Sequence, residues 1–475
     1  MDRIARLSSN WSRVALTWLP FADAASADLP LARLLRLALF QVSVGMTMVL
    51  LNGTLNRVMI VELHTPAWLV SLLIALPLLF APLRALIGHR SDTHRSVLGW
   101  RRVPYIWFGT LMQFGGLAIM PFALLLLGRE GDFAAGLVGS ALAFLLAGAG
   151  LHTTQTAGLA LATDLAPAEN RPRAVALLYV MLLAGMMLAS LAIGSQLVDF
   201  RPTKLVQVVQ GAAVLALVLN VTALWKQEAR NQAVIAQDTP RPGFAEVWQH
   251  FTAERATRRL LTGIGLGAAA FAMQDALLEP YGGEVLGLSV GATTGLTGVW
   301  ALGTLIGFAL TARRLGQGAD PLRVAGFGVA AGIAAFMLVI FAAPLGLPAL
   351  LALGAATIGF GGGLFAVGTL VAAMGLARDG TSGIALGAWG AVQATGAGLA
   401  IAVGGVLRDV VSRLAVADDL GATLADRATG YTTVYLIEIV LLLATLVVVG
   451  PLVGRDRNHA PKQNAARFGL TEFPT

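Results

Sequence analysis

Apolar runs of about 20 residues recur along the whole chain, and they constrain its fold more than any other feature. A helix of that length crosses a hydrocarbon core of roughly 30 Å. Only 12% of the residues are charged, about half the share found in soluble domains. Backbone groups in lipid must be satisfied within the segment, so the runs are predicted to be transmembrane helices. Twelve spans are predicted, at 33–57, 66–88, 103–127, 134–163, 172–198, 204–225, 259–281, 289–312, 322–343, 347–376, 382–407 and 430–453.

The longest polar gap between spans falls in the middle of the chain, at residues 226–258. It divides the protein into an N-terminal half, 33–225, and a C-terminal half, 259–453, each with six spans. The segment 1–32 mixes Arg with Trp and lacks a continuous apolar core, so it is not predicted to be a signal peptide. It could lie along the membrane surface or form a loosely ordered tail. Residues 454–475 form a polar C-terminal tail.

The distribution of Lys and Arg predicts the orientation in the membrane. With both termini and the even-numbered connections on one side, that side holds about 25 of the 33 basic residues. Both termini and the central loop 226–258 are therefore predicted to be cytoplasmic. The net charge of +7 follows from this topology and from anionic lipid headgroups, so it does not indicate a nucleic-acid partner.

The two halves resemble each other in sequence. The stretches Gly158–Asp199 and Gly368–Asp409 have the same length and begin and end on the same residue types. A second register places Asn52 opposite Asp275 and Asn56 opposite Glu279. Helices rich in Gly and Ala can match by chance, but the gap-free spacing favours internal repeats.

Six plus six spans, cytoplasmic termini and a long central loop resemble the major facilitator architecture. In the connection after the second span, Gly88, Asp92 and Arg95 are similar to that superfamily's loop signature. Such a loop is predicted to hold neighbouring helix ends by charge-assisted hydrogen bonds. Asp320 lies in the equivalent connection of the second half.

Two carboxylates in the seventh span are the first candidates for function. Asp275 and Glu279 are four residues apart, which predicts one helix face, and Pro280 with Gly282 and Gly283 is predicted to end the helix just beyond them. Charged groups in a bilayer are costly and usually face a bundle interior. The pair could exchange protons, bind a cofactor or metal, or simply form hydrogen bonds at the helix end. The position of Glu279 near the outer end of the span weakens the case for a buried side chain there.

A histidine in the fourth span is the second candidate. His152 lies well inside the span, and neutral imidazole suits the magnesium of a chlorophyll-type ring. Gln155 shares its face and could bind a ring carbonyl. The alternative is a pair of hydrogen-bonded interior groups.

Further polar residues complete the candidate set. Asn52 and Asn56 form a patch in the first span, where Arg57 could snorkel to the membrane surface. Trp389 and Gln393 share a face in the eleventh span and could line a cavity for a flat ring, or the Trp could be core packing. Most of the further intramembrane polar residues are predicted to join helices by hydrogen bonds. These residues are Gln41, Gln113, Gln274, Gln393 and Glu438.

The connections after the fourth and tenth spans carry charged residues that are predicted to form loop or gate salt bridges. These residues are Asp164, Arg171, Arg378 and Asp379. The sequence has no nucleotide-binding loop, zinc-ligand spacing or nucleophile-elbow motif, so no catalytic or metal site and no enzymatic activity are predicted.

Several stretches resemble the PucC/LhaA family, a branch of the major facilitator superfamily in photosynthetic bacteria. The resemblance covers about residues 30–455. The N-terminal run Leu19–Leu31 is more similar to the LhaA branch, which serves the core antenna, than to PucC, which serves the peripheral antenna. The matching stretches are Asp275–Gly283 (DALLEPYGG), Ala81–Asp92 (APLRALIGHRSD), Gly99–Tyr105 (GWRRVPY), His152–Asp164 (HTTQTAGLALATD), Asn56–Leu63 (NRVMIVEL) and Arg171–Gly185 (RPRAVALLYVMLLAG).

The resemblance implies a factor that assembles light-harvesting complexes in the intracytoplasmic photosynthetic membrane. It implies binding of bacteriochlorophyll, with carotenoid as a further ligand, and delivery of pigment to antenna α and β polypeptides. Chlorophyll synthase and the membrane-insertion machinery are the other expected partners. The alternative from the residues alone is a proton-coupled transporter of a tetrapyrrole or another small molecule, with Asp275 or Glu279 carrying the proton.

Overall fold

The computed structural model describes residues 29–79, 100, 102–128, 131–167, 171–228, 253–375, 382–417 and 426–454, and within them the protein is all helical. The termini 1–28 and 455–475 and most of the central loop lie outside this part of the chain. We number the spans in chain order: α1 Leu31–Glu62, α2 Ala67–Leu79, α3 Val103–Leu127, α4 Phe133–Leu165, α5 Arg171–Gln196, α6 Pro202–Leu224, α7 Arg255–Glu284, α8 Val290–Gly316, α9 Pro321–Ala342, α10 Pro348–Gly375, α11 Ser382–Val416 and α12 Ala428–Val449.

Eleven of these helices are long and apolar enough to cross a membrane. The remaining helix, α2, is described only as far as Leu79, and the rest of its predicted span lies outside the described residues. The all-α, multi-pass membrane fold is thus confirmed. Most predicted ends agree within a few residues, but α1 continues to Glu62 instead of ending at 57, and α11 continues to Val416 instead of 407.

Helix α1 stays helical beyond its predicted end through two widened turns. Residues Val49–Thr54 and Val58–Glu62 are π-helical, with Leu55–Arg57 between them. Within this region the side-chain amide of Asn56 donates to the Asn52 carbonyl at 2.5 Å and accepts from the Arg57 N–H at 2.6 Å. Widened turns of this kind occur frequently at functional sites.

Helix α7 is broken, but not where the sequence predicted. Its α-helix ends at Ala272, a 3-10 turn covers Met273–Ala276, and a short helix resumes at Leu278–Glu284. The break therefore precedes Glu279 instead of following it. Pro280 lies in the first turn of the short helix, where its missing N–H would have no partner within the helix in any case.

Equivalent hydrogen bonds join the first and last helices of each half at the end of the bundle where α1 begins, which we call the inner end. In the first half, Arg33 of α1 donates to the side-chain and backbone oxygens of Gln227 after α6, at 3.1 and 2.6 Å. In the second half, Arg259 of α7 donates to Val447 and Val448 oxygens at the end of α12, at 3.1 and 2.7 Å. These corresponding contacts agree with the predicted internal repeat.

The starts of α3 and α9 are tied in a similar way. Glu228, after α6, accepts from the Arg102 and Val103 N–H groups at the start of α3. Asp320 caps α9 and also accepts from the Gly454 N–H, which follows α12, at 2.7 Å. The loop acid therefore holds helix ends by accepting from amides. Gly88, Asp92 and Arg95 of the corresponding loop lie outside the described residues.

The halves meet closely at one end of the bundle, which we call the outer end and which carries connections 63–66, 197–201 and 285–289. There α2 packs against α11 and α5 packs against α8. A Cβ built on Gly194 of α5 would lie 2.9 Å from the Gly291 oxygen of α8, so side chains are excluded at this crossing. Glycine here allows the two backbones to touch.

Candidate functional site

Polar side chains from both halves meet where α1, α7 and α8 converge. The Asn56 amide donates to one carboxylate oxygen of Glu279 at 3.1 Å, and the Thr297 hydroxyl donates to the other at 2.8 Å. Asn56 is fully buried and Glu279 is only 5% exposed. Glu279 is therefore buried despite its position near the end of the span, because helices of both halves cover this side chain.

Asp275 belongs to the same cluster through its backbone. Its carbonyl accepts from Asn56 at 3.3 Å, while its carboxylate accepts from Gln274 at 2.5 Å. Asp275 lies on the 3-10 turn and Glu279 on the short helix after it, so they do not share one face of a continuous helix. The structure brings Asn56, Asp275 and Glu279 together, whereas Asn52 contributes only its backbone carbonyl.

Two further contacts extend this junction between the halves. The Thr54 and Thr294 hydroxyls lie 3.2 Å apart, and Ser190 of α5 donates to the Thr294 carbonyl at 2.5 Å. We call the whole set the outer seam. It also includes the contact of the Trp68 N–H at the start of α2 with the Asp409 carboxylate of α11. The outer seam thus consists of Thr54, Asn56, Trp68, Ser190, Gly194, Glu279, Gly291, Thr294, Thr297 and Asp409.

Arg57 does not snorkel to the membrane surface as predicted. It is 5% exposed, forms an ion pair with Glu62, and donates to the Leu288 carbonyl at 3.1 Å. The widened turn at Val58–Glu62 keeps Glu62 within reach of Arg57. Arg57 therefore ties α1 to the connection between α7 and α8.

A second charged network near the outer end was not predicted as a site. Arg408 of α11 forms ion pairs with Glu284 of α7 and with Asp409, and its guanidinium lies 4.5 Å from the centre of the Tyr431 ring. Asp409 also accepts from the Trp68 N–H at the start of α2, at 2.8 Å. The available sequence signal was the alignment of Asp409 with Asp199, but Asp199 is exposed and only Asp409 bridges the halves.

The candidate ring ligands of α4 lie apart from the outer seam. His152 and Gln155 are buried on a helix that packs against α1, α2, α3 and α5 of its own half. Both residues lie past the midpoint of α4, towards its inner end. Trp389 of α11 is also on the inner side and donates to the Thr369 hydroxyl of α10 at 3.2 Å, with half-buried Gln393 one turn further.

The buried polar side chains inside the spans differ in whether they form hydrogen bonds between helices. Gln113 joins three helices, since it donates to Ser43 and Thr47 of α1 and accepts from Asn220 of α6. Gln41 and Glu438 differ from Gln113, because each is fully buried and its side-chain polar atoms make no well-formed hydrogen bond among the described residues.

The charged connections are only partly described. Asp164 forms an ion pair with Arg102 at 2.9 Å, which links α4 to the start of α3. Arg378 and Asp379 lie outside the described residues, as does the side chain of Arg171. Within the described part of the chain, no group of three or more His, Asp or Glu side chains could hold a metal ion.

Sequence comparison assigns the chain to a family. A family model described as "PUCC protein" matches residues 54–457. This chain belongs to the PucC family. It is 56% identical to "Protein PucC" of Rhodovulum sulfidophilum, over 86% of this chain and 92% of that protein. It is also 55% identical to a Rhodobacter capsulatus protein described as "Uncharacterized protein in puhA-bchM intergenic region", over 97% and 98% of the two chains.

Solved structures show the same fold in transporters. A mutant of the nucleoside transporter NupG superimposes with a TM-score of 0.65 at 15% identity, covering 88% of this chain and 99% of the transporter. An inward-facing, unoccupied bacterial homologue of the lysosomal transporter Spinster superimposes with a TM-score of 0.64 at 15% identity, covering 88% and 95%. At such low identity these likenesses establish the major facilitator fold of this PucC-family protein and nothing about its cargo.

Proposed function

We propose that this PucC-family protein is an assembly factor for a bacterial light-harvesting antenna, with the core antenna favoured. It binds bacteriochlorophyll, with carotenoid as a further ligand, and helps to deliver it to antenna α and β polypeptides. Family membership supports the general part of this proposal, a role in forming light-harvesting complexes in photosynthetic bacteria. Family and fold also support a non-enzymatic role in the membrane.

The distribution of polar groups supports the specific part. Cross-half hydrogen bonds and glycine contacts join the halves at the outer end. The candidate ring-binding residues, His152 and Gln155 on α4 and Trp389 and Gln393 on α11, lie on the inner side of this seam. A hydrophobic pigment would therefore enter from the inner side or from the inner leaflet, which fits delivery within one membrane. Chlorophyll synthase and the insertion machinery are the proposed neighbours in the photosynthetic membrane, with both termini cytoplasmic.

Replacing His152 by alanine is expected to remove most of the bacteriochlorophyll that co-purifies from mildly solubilised photosynthetic membranes. The imidazole is the proposed axial donor to the ring magnesium, and alanine offers no such donor. The measurement is the pigment absorbance per mole of protein, together with the antenna polypeptides in the same pull-down.

His64 provides the matched control. It is exposed in the outer connection 63–66 and has a φ of 52°, so asparagine, which tolerates this left-handed conformation, is the suitable replacement. His64→Asn should keep the pigment. Equal pigment in His152→Ala and in the unaltered protein would refute His152 as the ligand, and a colourless protein from pigmented cells would refute pigment binding altogether.

The fold favours one alternative, a small-molecule transporter, because the structural neighbours are transporters. A transporter that alternates access must open its outer seam during each cycle, whereas a factor that loads pigment from the inner side can keep the seam closed. The two functions therefore differ in whether they continue when the outer seam is covalently cross-linked.

A disulfide between positions 54 and 294 is expected to leave antenna assembly intact. The two hydroxyls are 3.2 Å apart, so Thr54→Cys with Thr294→Cys places both sulfurs close enough for a bond across the halves. The chain has no cysteine of its own, so this is the sole disulfide possible within it. Antenna yield is compared in oxidised and reduced cells, with each single-cysteine variant as control. Assembly that stops on oxidation and returns on reduction would favour alternating access.

A further inference from the structure

Glu438 is a buried acid in the C-terminal half. It lies on α12, is fully buried, and neither carboxylate oxygen makes a well-formed hydrogen bond within the described residues, although the backbone N–H of Gln274 lies close to it. Removing an ionised carboxylate from water without a donor or cation costs several kcal/mol or more. An isolated buried acid of this kind is stable when it carries a proton.

The neighbours of Glu438 supply one acid and further unpaired polar atoms. Helix α12 packs against the 3-10 turn of α7, where the Glu438 carboxylate lies near the backbone of Gln274 and the carboxylate of Asp275. The side-chain oxygen of Gln274 is buried without a partner, as is the hydroxyl of Tyr435 one turn away on α12. A protonated Glu438 would bring a donor into a cluster that contains an unused acceptor.

No cation neutralises this cluster among the described residues. The Arg408 guanidinium of α11 is engaged by Glu284, Asp409 and Tyr431, and Tyr431 is two turns from Glu438 along α12. Helix α9 carries its one titratable residue, Arg323, exposed at its start. Asp275 is therefore the ionisable group that faces Glu438 from the helices packed around it, apart from the tyrosines, and Glu279 of α7 lies near Asp275 in turn.

We propose that Glu438 and Asp275 form one exchangeable proton-binding site that links α12 to the break in α7. Two acids close together in a low dielectric share protons, because both cannot be ionised at once. The Asp275 carbonyl also accepts from Asn56 of the outer seam. A change in the protonation of this site can therefore move the seam through one turn of backbone. The inference holds for either pigment handling or transport and does not depend on the proposed function.

Infrared spectroscopy of the purified protein tests the site directly. The C=O stretching band of neutral carboxylic acids should shift in D2O, lose intensity in Glu438→Gln, and recover that intensity at a changed frequency in Glu438→Asp. Asp275→Asn should move the pH midpoint at which the band is lost. The control is Glu62→Gln, which removes an ion-paired acid and should leave the band unchanged.

Two results would overturn the proposal. One is a spectrum of Glu438→Gln that retains the whole neutral-acid band, because Glu438 would then not hold the proton. The other is an unchanged pH midpoint in Asp275→Asn, because the two acids would then not form one site. If Glu438→Gln does not fold, Glu438→Asp decides the first question through the band frequency.

Discussion

Replacing Gly291 by leucine is expected to separate α5 from α8 and to abolish antenna assembly. A Cβ at this position would collide with the backbone oxygen of Gly194, which cannot move independently of its helix, and would lie 3.0 Å from Val198. Overpacking of this kind destabilises a protein by about 3 kcal/mol, and more where backbone is the obstacle. Thermal unfolding in detergent should show the loss, and antenna yield in cells should fall with it.

Gly295 is the matched control on the same helix, one turn further along α8. A Cβ there would meet nothing within 4 Å, so Gly295→Leu should leave both the melting temperature and antenna yield near those of the unaltered protein. An equal loss in both variants would show that α8 rejects leucine in general. A normal Gly291→Leu protein would show that the two backbones do not touch in the membrane.

Replacing Asn56 by leucine should destabilise the protein by about 3 kcal/mol, the cost of breaking a buried polar pair by removing one partner. The Glu279 carboxyl group would keep Thr297 but lose the donor that reaches its other oxygen. Adding Glu279→Met should recover most of the loss, since an apolar pair of similar size can replace a buried polar pair. Unfolding of the four proteins in this cycle gives the coupling energy.

Asn52 supplies the control for this cycle. Its side chain is half-buried and the seam uses only its backbone oxygen, so Asn52→Leu should change stability by less than about 1 kcal/mol. If Asn52→Leu removes pigment without lowering stability, Asn52 contacts the pigment. Additive effects of Asn56→Leu and Glu279→Met would show that these two residues do not interact across the halves.

The fold was predictable because membrane-spanning helices can be recognised in a sequence from the length and composition of apolar runs. A run of apolar residues long enough to cross the bilayer has one satisfactory conformation, and its ends follow where polar residues begin. The pairing of Asn56 with Glu279 also had a sequence signal, the register that aligns the first span of each half. Asn52 contributes only its backbone oxygen, because the widened turns of α1 direct Asn56, and not Asn52, to α7.

The details of α7 and α12 had no such signal. Pro280 and two glycines suggested a break after the acids, yet the helix breaks before Glu279, where the Asn56 side chain of α1 donates to the Asp275 carbonyl. Glu438 was among the residues of which most were predicted to join helices, although its carboxylate makes no well-formed hydrogen bond within the described residues. Whether a buried polar side chain is satisfied depends on residues far away in the chain, and periodicity carries no information about them.

Sequence alone determined the all-helical membrane fold, the PucC family and the few polar residues that could serve a ligand, because these depend on local hydrophobicity and on recurring residue patterns. Tertiary structure decided which of those residues meet. It joined Asn56, Glu279 and Thr297 across the halves, buried Arg57 against Leu288, and placed the buried Glu438 beside the turn that carries Asp275. The physical reason is that side-chain pairing in a bundle is set by helix rotation, local unwinding and close glycine contacts, each of which depends on the packing of the whole molecule.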